Sequence, residues 1–364
     1  LIKKFVNVFD YIIDVAYVLT EKNIKSEFTQ TPETFLVQEV LERNTLSDEG
    51  DYAVLELEKK GVDTFEALRL IARKAGIPAS NFKVLGLKDK NSRSIQYVFV
   101  KKHLLGGGIE VETNSVKARV IGYSRCKPGK SALKGNYFKI RFEASSDDDF
   151  WLAKDLLREI VEHGLPNYYG YQRFGVTRPI THLLGKALLE ADSSWFASML
   201  LGDTSILETA ESIRGRMRYT FNEIMSYEKK CRFMNPVEDC GLSLNHSLRN
   251  LYVDAYSSYL FNRLLTKILE KAGGVLPEEK LPLPGCNRAS YHEILREEGV
   301  IVRRWGLFKC WERSSVLKPL EPGIRRNNGW IEIEFTLPRA GYASLVLREL
   351  FKENFRLVET LSVG

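Results

Sequence analysis

WIEIEFTLPRAGYASLVLRELFK, residues 330–352, follows a long helical stretch with a strand and one more helix. Apolar residues alternate from Ile331 to Leu337, Pro338 to Gly341 has turn chemistry, and the rest resumes helical spacing. A strand placed so late predicts a return to a sheet begun much earlier, with the intervening residues as an insertion.

The earlier sheet is readable upstream. ETFLVQEV (33–40), YAVLELE (52–58), SIQYVFVKK (94–102), IEVETNSVKARVIGY (109–123) and KGNYFKIRFEA (134–144) all read as strands. Between the second and third lies a helix over FEALRLIARKA (65–75). Asp63 and Glu66 form its capping box, Gly76 stops it and Pro78 confirms the stop. From Ser146 the pattern turns helical. DDDFWLAKDLLREIVEHG (147–164) carries its acids at the start and Gly164 at the end. PNYYGYQRFG (166–175) is a loop, residues 181–231 are mainly helical, and LYVDAYSSYLFNRLLTKILEKAGG (251–274) is a further helix. The expected class is therefore α+β.

Composition limits the function classes. The chain has 364 residues, 44% of them apolar, and a net charge of +6. That length suits two domains, and the basic excess favours an anionic partner such as nucleic acid. Five scattered cysteines without a CxxC pair, and five histidines without HExxH or HxxxH spacing, argue against a disulfide framework or a zinc site. A reducing compartment, the cytoplasm, is the expectation. No uninterrupted run of about 20 apolar residues occurs, so no membrane span is expected.

KPGKSA (127–132) ends like a phosphate loop, but the first glycine of such a loop would stand at Ser124, so it reads as a basic surface loop. GGG (106–108) leads into a strand and has no helix N-terminus for a pyrophosphate. Arginines 214, 216 and 218 alternate, Arg303 and Arg304 precede Trp305, and Arg325 and Arg326 precede Trp330. Charge tracks phosphates and rings stack bases, so these clusters point to RNA or DNA.

VLGLKDKNSRSIQ (84–96) puts one carboxylate, Asp89, between Lys88 and Lys90. A hairpin turn or an active site would each produce that pattern. Five segments taken together distinguish them. TPETF, GLKDKNSRSIQ, LKGNYF, PNYYGYQRFG and GYASLVLREL resemble, in the same order, the PEDFxVxE, GxKDKxAVTxQ, KGNxF, PNYFGxQRFG and YATSVLREL segments of the TruD family of tRNA pseudouridine synthases.

The resemblance implies a mixed, largely antiparallel sheet with flanking helices. The catalytic domain would comprise 1–175 and 325–364, interrupted by an insertion domain at 176–324. It implies an isomerase that converts a uridine of tRNA, most often uridine 13, to pseudouridine without cofactor or metal. No membrane and no obligatory protein partner are implied. Asp89 would be the catalytic carboxylate and Phe138 the ring stacking on the target base. Lys88, Asn136, Phe35, Glu33, Gln96, Gln172 and Arg173 would complete the substrate site. A non-catalytic RNA-binding or RNA-chaperone relative is the alternative.

Three departures stand out. Thr29 occupies the place of the lysine that pairs with the family's catalytic aspartate, so Lys88, Lys25 or Arg93 would have to substitute. Ser92, Arg93 and Ser94 replace Ala-Val-Thr. Thr34 replaces the acid of PEDF, and Ser344 with Leu345 replaces Thr-Ser in the tail.

Overall fold

A computed structural model describes residues 3–4, 8–106, 108–125, 127–175, 179–201, 231, 241 and 244–356. Arginines 214, 216 and 218 and most of the expected 181–231 helical stretch lie outside the described residues. The described helices are α1 (Val8–Ile13), α2 (Thr64–Ala75), α3 (Asp147–His163), α4 (Thr181–Glu190), α5 (Ser193–Leu201), α6 (His246–Lys271), α7 (His292–Glu297) and α8 (Ala343–Phe351). The chain divides into two compact units.

One unit contains Lys22–His163, Lys318–Ala343 and Leu350–Gly364. It is built on a nine-stranded sheet. Its strands in chain order are β1 (Phe35–Leu41), β2 (Tyr52–Lys60), β3 (Lys83–Val84), β4 (Arg93–Lys101), β5 (Glu110–Glu112), β6 (Val116–Ser124), β7 (Leu133–Glu143), β8 (Leu320–Asn327) and β9 (Trp330–Pro338). The spatial order is β8-β9-β7-β1-β4-β2-β6-β5, with β3 beside β4. Only β1 and β4 run parallel; every other pair is antiparallel. The late strand β9 does return to the early sheet, pairing Phe335 with Phe138.

Alternation along β2 explains how α2 is held. Ala53, Leu55 and Leu57 face one side and pack with Val98 and Val100 of β4 against Ala67, Leu68, Ile71 and Ala72 of α2. Asp63 caps that helix by accepting from Glu66 N, and Gly76 ends it at φ 68°, a left-handed geometry that glycine adopts without strain. Lys59 continues the inward series of β2 and is fully buried, the one charged member of a row otherwise apolar.

The other unit contains Leu1–Glu21, Gly164–Leu317 and Ser344–Glu349. Its core joins α4, α5 and α6 with Tyr291, Ile294 and Leu295. Gly185 of α4 lies so close to α6 that an added Cβ would meet the Tyr252 carbonyl oxygen at 2.0 Å. A second buried cluster centres on Arg348 of α8. Its guanidinium stacks over Tyr17 and donates to Asp10 at 2.7 Å and to the carbonyls of Val15 and Ala16. Asp10 also accepts from the hydroxyls of Tyr17 and Tyr171. A buried charge survives only when so fully paired.

The cysteine expectation is corrected here. Cys286 and Cys310 form a disulfide. Lys280–Pro282 pairs antiparallel with Glu312–Ser314, and Leu283 N donates to the Trp311 carbonyl, so the continuation of the two strands brings residues 286 and 310 opposite each other. Counting cysteines could not reveal this, because long-range strand pairing creates it. The disulfide removes the cysteine-count reason for a reducing compartment. No described helix is long and apolar enough to cross a membrane.

Candidate active site

The sheet pleat aligns residues across strands, and one row contains most of the candidate site. The pairings Phe335–Phe138, Phe138–Val37, Val37–Ser94 and Ser94–Lys59 run side by side across β9, β7, β1, β4 and β2. All five share a face. The next row places Leu337, Asn136 and Glu39 together. Strand alternation thus delivers an aromatic end and a polar, charged end to a single surface.

At the aromatic end Phe138 is 6% exposed, with its ring 5.8 Å from Phe35 and 5.6 Å from Phe335. Neither contact is parallel. Asn136 leaves its buried Oδ1 without a hydrogen-bond partner, and so does Ser94 its Oγ. Unsatisfied buried acceptors are uncommon and costly, and two of them share this sheet face.

The loop 85–92 covers the charged end. Its geometry turns Lys88 and Asp89 in opposite senses. Lys88 Nζ donates to Glu39 at 2.7 Å, with both side chains nearly inaccessible, and Glu39 also accepts from Tyr97 N. Lys88 N donates to Thr64 Oγ1 at the first residue of α2. Thr64 donates in turn to Gln96, whose amide reaches the Gly86 carbonyl. The loop is therefore fastened to β1, α2 and β4 at once.

Asp89 emerges from that anchorage. Its carbonyl accepts from Lys59 Nζ at 2.8 Å and from Ser92 Oγ at 2.7 Å. Gln30 donates to the Asn91 carbonyl at 3.2 Å and hydrogen-bonds the Asp89 side chain. Asp89 is exposed, yet the protein packed around its carboxyl raises the pKa. The exposed surface decides access for a substrate; the crowding sets only the direction of the charge effect. Desolvation pushes the carboxyl up, while the Lys59 charge, the Gln30 hydrogen bond and Lys88 pull it back. Lys59 is itself lowered to about 8 by burial, with Asp89 and Asp63 opposing that and Lys88 adding to it.

These contacts answer the three departures. Lys25 reaches Asn23, and Arg93 pairs with Glu58, so neither substitutes at Thr29. Lys88 contributes, but its direct partner is Glu39. The leading positive neighbour is Lys59. Ser92 pins the Asp89 carbonyl, and Thr34 Oγ1 accepts from Thr31 N and donates to the Thr29 carbonyl. Thr34 thereby closes a local turn where the family has an acid. Ser344 donates to Gln172 at 3.0 Å.

The remaining expected site residues are placed as follows. Phe35, Asn136, Phe138, Lys88, Asp89 and Gln96 gather in the sheet unit. Glu33 is on the surface of that unit, ion-paired to Lys60 at 2.9 Å. Gln172 and Arg173 belong to the other unit, where Arg173 contacts Ser258 and Asp254. Lys59, Gln30, Thr64 and Glu39 were missed. The signal for Lys59 was present: a lysine at an inward position of an alternating strand. Glu39 stands at the last place of the PEDFxVxE pattern.

The fold and the site define a mixed-sheet α+β protein with a lysine-supported carboxylate beside a polar and aromatic surface. A family model described as tRNA pseudouridine synthase D (TruD) matches residues 13–280. The chain belongs to that family. A protein of Archaeoglobus fulgidus named "Probable tRNA pseudouridine synthase D" is 32% identical over 71% of this chain and 66% of its own length. One of the same name from Thermococcus onnurineus is 29% identical over 72% of this chain and also 66% of its own length. These alignments thus span just under two thirds of those relatives. A third, from Methanosarcina mazei, is 26% identical over 90% of this chain and 93% of the relative. A solved Methanosarcina mazei structure described as TruD superposes with a TM-score of 0.69 and 23% identity, covering 95% of this chain and 98% of that one. That likeness establishes the fold.

Proposed function

We propose that this protein isomerises a uridine of tRNA, uridine 13, to pseudouridine, with Asp89 as the catalytic carboxylate. The observation that carries the reading is the presentation of Asp89: an accessible carboxylate on a loop fastened at three points, above a buried lysine. In the reaction the C1′–N1 bond breaks, the uracil turns, C5 bonds to C1′, N1 gains a proton and C5 loses one. Nothing is oxidised and nothing is consumed.

A carboxylate is needed beside C1′ and C2′, as nucleophile or proton acceptor. Lys59 keeps Asp89 ionised in crowded surroundings. A base taken out of its stack costs a few kcal/mol, and an aromatic face returns about 1–3 kcal/mol. Phe138 is assigned that face, with Asn136 and Ser94 free to accept hydrogen bonds from the uracil. Lys88 and Gln96 position the loop rather than touch the base. On this reading the sheet unit is the catalytic body, and the proposed insertion, 176–324, lies mainly in the other unit, its last residues from Lys318 belonging to the sheet unit.

The test is to incubate unmodified tRNA transcripts with wild-type protein or Asp89→Asn and map pseudouridine by carbodiimide modification and primer extension. A stop at one uridine with wild type and none with the variant is expected. RNA binding by wild type without product across a panel of tRNAs would instead establish a non-catalytic RNA-binding protein.

A further inference from the structure

The pair Arg303-Arg304 before Trp305 has no part in the site described above, yet Trp305 itself carries a stacked arginine, Arg288. Trp305 opens a short 3-10 turn and is half-buried against the α4–α6 core. The Arg288 guanidinium lies over its ring, 4.7 Å from the centroid, and Phe308 flanks it at 5.5 Å. Arg288 and Arg303 are exposed and Arg304 is half-exposed. Among the described residues none of these three arginines forms an ion pair. Nearby acids are mostly engaged elsewhere: Glu293 and Glu297 bind Lys267, Glu298 binds Arg263 and Asp254 binds Lys309. Glu190 and Asp192, which line a shallow depression with Arg303, are the acidic flank of the patch.

The Arg288 and Trp305 segments are joined covalently. Both Cys286 and Cys310 are exposed, and their disulfide ties the segment bearing Arg288 to the one following Trp305 and Phe308. Gly285 packs so closely that an added Cβ would meet the Lys309 carbonyl oxygen at 2.3 Å. The guanidinium–indole stack is thus held from below by the core and from the side by the disulfide.

We propose that Arg288, Arg303, Arg304 and Trp305 form a second RNA contact of this protein, separate from the Asp89 site and held in shape by the Cys286–Cys310 disulfide. This rests on the reading of the protein as an RNA-modifying enzyme. RNA fits the chemistry better than an acidic protein surface does. A guanidinium plane already stacked on an indole offers its outer face to an unpaired base, and two further arginines accept phosphates. Point charges alone would serve an acidic peptide equally; the planar stack would not be needed.

The experiment measures anisotropy of a labelled, unmodified tRNA transcript against salt, alongside pseudouridine formation at saturating RNA. Arg288→Glu with Arg303→Glu is expected to weaken binding by about tenfold or more and to reduce the salt slope by about 1–2, leaving turnover at saturation unchanged. Arg288→Lys should keep the slope and lose part of the affinity. Cys286→Ser with Cys310→Ser should weaken binding about threefold. Unchanged affinity and slope in the charge-reversal variant, with wild type active on the RNA, would overturn this surface alone. A wild type that neither binds nor converts RNA would overturn the functional reading and this inference with it. Arg288→Lys binding as tightly as wild type would overturn the stacked guanidinium as a base contact.

Discussion

Lys59 and Asp89 are each placed where their charge is unfavourable, and each makes the other tolerable. Burial puts Lys59 at about 8, below its ordinary 10.5, so the cost of its charge is present below about 8 and is lost as pH rises toward 10.5. Asp89 is raised, so its ionised form costs stability above its folded pKa, and that cost is relieved as pH falls. Asp89→Asn should therefore melt higher than wild type at neutral pH in calorimetry, with the gap narrowing on acidification, while activity falls by about 10³-fold or more. Lys59→Met should lower activity by about 10–100-fold and shift the acid limb of the rate profile to higher pH, because Asp89 then lacks its main positive neighbour. Asp89 and Phe138 were singled out by short motifs, and both fall in the sheet unit. Lys59 was visible only as an inward lysine of an alternating strand, because its role depends on that strand face meeting a loop 30 residues away.

The elements around the loop transmit its position. Thr64 begins α2 and bonds both Lys88 N and Gln96, so the helix start doubles as a loop anchor. Asp63→Ala should cost about 1 kcal/mol through the lost cap, read by urea denaturation. Lys88→Met leaves Glu39 buried and uncompensated and should cost about 3–5 kcal/mol; adding Glu39→Leu should recover much of it. Strands, caps and stops here followed from alternation and turn chemistry, which are local. The facing of Lys88 inward and Asp89 outward did not, since neighbouring polar residues in a turn carry no periodic signal.

Across the whole molecule, the return of β9 to the sheet was readable from its late position and clean alternation. The assignment of Leu1–Glu21 and Ser344–Glu349 to the unit of α4–α6 was not. The buried Asp10–Arg348 pair, 338 residues apart in sequence, joins those two segments, and Tyr171 donating to Asp10 and Asn262 of α6 donating to the Ile13 carbonyl tie them to the unit. The disulfide escaped for the same reason. Closing a 24-residue separation, it should contribute about 3 kcal/mol, so denaturation with and without reductant should differ by roughly that amount.

The central claim, that Asp89 acts and Lys59 keeps it charged, is tested most directly by single-turnover tritium release from tRNA labelled at uridine C5, measured across pH. Wild type should release label with a rate that falls on acidification as Asp89 gains its proton, Lys59→Met should move that fall to higher pH, and Asp89→Asn should release none at any pH. Release by Asp89→Asn within tenfold of wild type would contradict the account.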